Sequence, residues 1–226
     1  GLMLGYLLAR AGVKVTVLEK HADFLRDFRG DTVHPSTLEV LDELGLLKSF
    51  LSRPHQEVSQ LGGQFGTEGL LIADFKQLDT KCKFIAFVPQ WEFLNFMSEK
   101  ASQFDTFDLR MNTQAYDVIE GDGKVIGVRA KTTSGEEVSI YADLVVGADG
   151  RHSVIRQKAG FDVTDVGAPM DVLWMRLSRK PSDPGDTLGR VGSGSFMVML
   201  NREEYWQCGF VIAKGSLETL KEEGLD

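Results

Sequence analysis

The sequence predicts an α/β fold of three layers with an antiparallel β-meander, interleaved with a separate mixed sheet. Three observations carry this. A helix with small residues on one face, Gly5 and Ala9, runs through Gly12 into the β-branched strand Val13 to Lys20. Later, strands at Gln114 to Glu120, Lys124 to Lys131 and Glu137 to Ala142 follow one another across the tight turns Gly121-Asp122-Gly123 and Ser134-Gly135, the pattern of a meander. Finally, residues 58–88 and 166–226 return to glycine-punctuated strand alternation away from the helical segments. The expected division is therefore one domain from residues 1–57 and 89–165, and another from 58–88 and 166–226, the latter incomplete.

The elements can be justified in order. Residues i and i+4 share a helix face, so Gly5 and Ala9 offer a surface that can lie close to a sheet. Pro35 to Gly45 reads as a helix, with Leu38, Leu41 and Leu44 at helical spacing and Gly45 as the stop. Gly69 to Phe75 reads as a strand. Pro89 suits a helix start before Gln90 to Met97, and Phe107 to Met111 is a further strand. Asp143 to Gly150 reads as a buried strand ending in a loop, with Leu144-Val145-Val146 supplying the packing, and Val154 to Ala159 as a short helix that Ser153 caps. Strands resume at Val172, break at the polar run Arg179 to Asp186, and form a hairpin over Phe196 to Val211.

Composition sets the class. The 226 residues hold 42% hydrophobic and 26% charged residues, usual for a globular protein with a sizeable core. The net charge of −8 argues against a nucleic-acid surface, which needs a basic footprint. It does not oppose one anionic ligand held by backbone donors and an arginine or two. No apolar run reaches membrane-spanning length, and a cytoplasmic location is expected. Cys82 and Cys208 match neither a redox pair nor a zinc pattern, and the four histidines show no ligand spacing, so no metal is expected.

The chemistry concentrates at four places. Gly1 opens a helix, and Glu19 ends the following strand eighteen positions later, with Lys20 beside it. In a Rossmann-type unit such a glycine lets the backbone approach a pyrophosphate, the helix N-terminus favours its charge, and the acid accepts hydrogen bonds from a ribose. Read alone, Glu19 is either that acceptor or a solvated strand-end charge. Arg29, in Arg29-Gly30-Asp31, is either a planar fork for phosphate oxygens or a loop cation. Gln90 is either a hydrogen-bonding ligand or a polar helix start. Asp149 and Gly150 close a strand at its carboxyl end, where open α/β sheets place ligands, and His152 follows them.

In this order, the Gly1 turn with Glu19, Arg29-Gly30-Asp31, Pro89-Gln90 and Gly147-Ala148-Asp149-Gly150-Arg151-His152-Ser153 resemble the single-component aromatic hydroxylases typified by para-hydroxybenzoate hydroxylase. The resemblance implies a Rossmann-like FAD-binding domain interleaved with a substrate domain. It implies noncovalent FAD, with Gly1, Glu19, Lys20, Arg29, Gln90, Asp149 and Gly150 as cofactor-binding residues and His152 at the phosphate of the nicotinamide donor. It further implies NAD(P)H as electron donor, and hydroxylation of a small aromatic or polycyclic substrate by molecular oxygen through a flavin C4a-hydroperoxide. No side chain is assigned as a catalytic base. Relative to that family the chain is expected to be truncated at both ends, because the first strand with its G-x-G and the later Gly-Asp fingerprint are not in it. Within the same fold, a flavin halogenase or a prenyl reductase is the alternative; Trp91 lacks the partners of the halogenase Trp-x-Trp-x-Ile-Pro motif. A non-catalytic nucleotide-binding protein, or an inert piece of an enzyme, is the alternative of another class.

Overall fold

A glycine in a helix allows the helix to approach a strand to a distance that no other residue permits, and the first helix uses this. In the structure, a computed structural model that describes residues 1–25, 31–183, 188–192, 195–202 and 204–224, α1 (Leu2–Arg10) lies so near β1 (Val15–Leu18) that a Cβ on Gly5 would stand 2.7 Å from Val17 Cγ2. Two compact units divide the chain, residues 1–30 with 89–164 and residues 31–88 with 165–226.

The second unit receives β2 (Thr32–Val33), α2 (Pro35–Glu43), α3 (Leu47–Leu51), β3 (Gln56–Val58), β4 (Gln60–Phe65), β5 (Glu68–Asp74) and β6 (Ile85–Phe87). The chain then returns to the first unit with α4 (Gln90–Ala101), β7 (Phe107–Arg110), β8 (Thr113–Gly121), β9 (Lys124–Thr132), β10 (Glu137–Tyr141) and α5 (Val154–Lys158). It ends in the second with β11 (Met170–Ser178), β12 (Leu188–Gly192), β13 (Ser195–Asn201), β14 (Tyr205–Ala213) and α6 (Leu217–Glu223).

In the first unit β1 and β7 pair in parallel, Val15 opposite Phe107. Helices α1 and α4 pack together, with Tyr6 edge-on to Phe104 and Phe96, Met97 and Ala101 buried. Strands β8, β9 and β10 form the expected antiparallel meander. Its first turn is the two-residue Asp122-Gly123, both at positive φ, the geometry that matches strand twist in a tight hairpin. Val118 and Val128 of the meander close a small core with Ile155 of α5.

The segment expected as a strand at 143–146 is not one. Leu144 is 75% exposed and Val146 51% exposed, and Val145 alone of the three packs on the meander core. No described strand pairs with this segment, so its backbone stands outside any ladder and its alternating side chains find a neighbouring layer on one side only.

The second unit carries a six-stranded mixed sheet in the order β11-β14-β13-β12-β4-β5, parallel between β12 and β4 and antiparallel elsewhere. A three-stranded antiparallel sheet, β2-β6-β3, accompanies it. Helix α2 forms where the leucine spacing predicts it, Leu38 and Leu41 are fully buried, and Gly45 ends the segment at positive φ. The expected hairpin is β13–β14.

Candidate cofactor site

The N-terminus of α1 and the loop at 147–150 come together. Gly1 is the N-cap and no side chain caps the helix; its carbonyl accepts the Gly5 N–H at 2.9 Å. A Cβ on Gly1 would stand 3.8 Å from the Ala148 Cβ. The first turn of α1 holds no acidic residue and, among the described residues, no side chain caps it, and an uncapped helix start of this kind favours an anion.

Glu19 directly follows β1. Its backbone N–H donates to the Arg110 carbonyl and its carbonyl accepts from Thr113, both at 2.9 Å, so both peptide groups are fixed by β7 and the start of β8. Its carboxylate accepts the His21 N–H at 2.9 Å. The strand end therefore fixes the Glu19 backbone, while its carboxylate is held by the one exposed bond to the His21 N–H that is described. Lys20 beside it is exposed.

Asp149 is the most heavily bonded residue of the loop. Its carboxylate accepts from the Ser153 hydroxyl, from the Val154 N–H at 2.7 Å and from the Ile155 N–H at 3.2 Å. Ser153 in turn accepts the Arg156 N–H at 3.0 Å and caps α5 as expected. Burial raises the Asp149 pKa, but the hydrogen bonds from Ser153, Ile155 and Val154 together outweigh it and hold the carboxyl below its usual range. This carboxylate braces the loop and leaves Gly150, at φ +89° with open space around its Cα, as the point where backbone can meet a ligand.

The remaining candidates are placed singly. Gln90 is the first residue of α4, exposed, behind Pro89 as N-cap. His152 is exposed on the turn before α5. Arg29 lies outside the described residues. The structure thus joins Gly1 to the Asp149-Gly150 loop, and sets Glu19, Lys20, Gln90 and His152 at element ends of the same unit. A cavity of about 480 Å³ opens beside the loop, lined by Val118, Val125, Val145, Ile155 and Phe161 among others. Gly150 of the candidate set also lines it, whereas Glu19, Gln90 and His152 do not. Among the described residues no group of three or more His, Cys, Asp or Glu side chains could hold a metal, and no helix is long and apolar enough to cross a membrane.

Sequence reasoning missed one arrangement, in the second unit: a buried ion pair between Asp31 and Arg202, 3.4 Å apart. Nothing in local pattern or spacing marks it, because the partners are 171 positions apart.

A parallel pair of strands with a helix packed on it, an antiparallel meander and an uncapped helix start beside the Gly147-Ala148-Asp149-Gly150 loop fit a dinucleotide-binding class. Residues 1–219 match the family described as FAD binding domain, and the chain belongs to that family. It is 27% identical over 225 residues to 6-methylpretetramide 4-monooxygenase of Streptomyces rimosus, covering 99% of this chain and 53% of that protein. It is 30% identical over 210 residues to the uncharacterized aromatic compound monooxygenase YhjG of Bacillus subtilis, covering 91% of this chain and 40% of that one. The chain spans about half the length, or less, of these curated relatives. Among solved structures, p-nitrophenol 4-monooxygenase PnpA from Pseudomonas putida superposes with a TM-score of 0.78 at 22% identity, covering 94% of this chain and 54% of that chain, which shows a shared fold.

Proposed function

We propose that the whole protein is an NAD(P)H-dependent flavin monooxygenase that hydroxylates a small aromatic or polycyclic substrate with molecular oxygen. The observation that carries the reading is the approach of Gly1, at an uncapped helix start, to Ala148 of the Asp149-Gly150 loop. That set of groups fits FAD: backbone N–H donors for the pyrophosphate, the Glu19 carboxylate as acceptor for the ribose hydroxyls, and a left-handed glycine where backbone must come close. The names of the two relatives, both monooxygenases, support the reaction class.

On this reading Gly1 and the first turn of α1 hold the pyrophosphate, Glu19 with Lys20 beside it holds the adenosine end, and Gln90 donates to the sugar-like chain. Arg29 is assigned to the pyrophosphate by its chemistry and by the resemblance alone, as a planar cation suited to phosphate oxygens. Asp149 acts on the ligand through the loop it braces, and His152 meets the phosphate of the electron donor. The flavin, when bound, supplies hydride acceptance and oxygen chemistry. The protein's share is binding, orientation and exclusion of water. The first unit, residues 1–30 and 89–164, is the cofactor domain on this reading, and the six-stranded sheet of the second belongs to the substrate domain.

The test is direct. The full-length protein is expected to be yellow, to release free flavin into the supernatant on acid precipitation, and to oxidise NAD(P)H faster when a suitable phenol is present. A colourless protein that takes up no added FAD would overturn the reading. Flavin retained in the pellet would overturn noncovalent attachment alone.

A further inference from the structure

The second unit holds two sheets, and one side chain bonds to both. Arg202 follows β13, and its Nε donates to Gln207 Oε1 at 2.9 Å, on β14 of the six-stranded sheet. Its Nη2 donates to the Asp31 carbonyl at 3.3 Å and stands 3.4 Å from Asp31 Oδ2, just before β2 of the three-stranded sheet. Its guanidinium carbon lies 5.0 Å from the ring centroid of Phe87, on β6, the middle strand of that small sheet. The Arg202 and Asp31 side chains are 10% and 3% exposed, and Gln207 is 1% exposed. Arg202, Asp31, Phe87 and Gln207 all belong to the second unit.

Net stability is a weak reason for the pair, because desolvating both charges offsets most of their Coulombic gain. Direction is a stronger one. The three-stranded sheet is small: β2 has two residues and β3 three, and they pair on either side of β6. Its middle strand runs from Ile85 through Ala86 and Phe87 into Val88, all of them buried. Apolar burial is non-directional, so it holds the small sheet down without choosing where it lies. A planar guanidinium has fixed donor directions, so Nε and Nη2 meet Gln207 and Asp31 together only in a narrow range of placements. Sliding one sheet along the other would leave a buried charge unpaired, which is strongly unfavourable.

We infer that the Arg202–Asp31 pair is a registering device within the second unit: it selects one placement of the three-stranded sheet against the six-stranded sheet and adds little net stability. Buried polar groups set register in this way in coiled coils, where apolar packing alone tolerates several arrangements. The role is independent of the cofactor and of the first unit. The conservative Arg202→Lys keeps the charge near Asp31 but loses the planar fork that reaches Asp31 and Gln207 together.

The experiment compares Arg202→Met, Asp31→Leu and the double variant in the full-length protein, by thermal midpoint and by amide hydrogen exchange read on peptides. Each single variant is expected to lower the midpoint, since it leaves one buried charge unpaired. The double variant, with both charges gone, is expected to regain most of that loss. Its amides at 31–33 and 85–88 are nonetheless expected to exchange roughly tenfold faster than in the unsubstituted protein, the scale of one hydrogen bond to a charged group, while those of the β13–β14 ladder keep their protection. Arg202→Lys is expected to fall between the two. Should the single variants fail to fold, the double variant and Gln207→Leu carry the same comparison. Unchanged exchange at 31–33 and 85–88 in the double variant would overturn the inference, because apolar packing would then suffice to place the small sheet. A double variant that fails to fold, or whose midpoint stays as low as those of the single variants while exchange rises throughout the second unit, would make the pair a stabilising contact and overturn it as well.

Discussion

Asp149 shows how one side chain can serve fold and ligand together. Its carboxylate is occupied by Ser153, Val154 and Ile155, so on the proposed reading it acts on the cofactor through the loop. Asp149→Ala in the full-length protein is expected to lower FAD affinity more than the thermal midpoint, because the loop loses three acceptor contacts while the meander core around Val118 and Val128 stays intact. Ser153→Ala, which keeps the carboxylate on the two N–H groups, is expected to be milder, costing about 0.5–2 kcal/mol as a lost cap. A midpoint that falls in step with affinity, with normal binding by the folded fraction, would make Asp149 a turn residue only. For Arg29 the expectation follows from chemistry alone: Arg29→Ala should weaken FAD or NAD(P)H interaction by about 1.5–3 kcal/mol, as for a charge-assisted hydrogen bond, and Arg29→Lys by less. Unchanged flavin affinity and unchanged reduction rate in Arg29→Ala would leave it a loop cation.

Among elements, those that complete themselves locally were the legible ones. The meander β8–β10 was readable because its turn residues and alternation lie within one continuous stretch. Helix α2 was readable because leucine spacing and Gly45 state both its face and its end. The 143–146 segment was not, because a run of Leu and Val declares burial without saying what covers it, and no described strand does. The same distinction holds for the site: Gly1 and Glu19 could be placed at element ends from pattern, whereas Asp149, expected at the end of a strand that does not form, the Gly1–Ala148 approach and the Asp31–Arg202 pair needed the tertiary fold. Gly5 offers a test at this scale. A Cβ there would lie 2.7 Å from Val17 Cγ2 and 3.0 Å from Phe107 Cε2, and Val17 is β-branched and stiff. Gly5→Ala is therefore expected to destabilise: overpacking costs about 1–3 kcal/mol, more than the roughly 1 kcal/mol that alanine gains in a helix. Denaturant unfolding checks it; a stabilised variant would mean that the helix and strand separate without loss.

At the scale of the whole molecule, acidity is the lever. The chain carries 33 Asp and Glu against 25 Lys and Arg, and several of its carboxylates brace backbone turns. Asp74 is held below its usual pKa by the Gln60 side chain and then the Lys76 N–H, Asp171 by the Gly215 N–H and then Lys214, and Asp183 by the Lys180 N–H and then the Trp206 indole. Asp149 is shifted in the same direction. The sign follows from linkage. A carboxyl whose folded pKa lies below its unfolded value adds stability that is fully present above the unfolded value, here 3.8, and is lost as the pH falls through the lower folded value. Lys81, raised by its hydrogen bond to Asp42, acts in the opposite sense: its stability is complete below the ordinary 10.5 and lost as the pH climbs through the raised value. The contribution of these carboxylates to the thermal midpoint of the full-length protein is therefore expected to be present at neutral pH and to fade as the pH drops below about 4. Asp183→Asn should flatten that acid limb, since it removes one titrating brace while leaving an oxygen for the Trp206 indole. A midpoint that already falls well above pH 4 would overturn this account, and an unchanged acid limb in Asp183→Asn would show that this exposed brace adds nothing once solvent screens it.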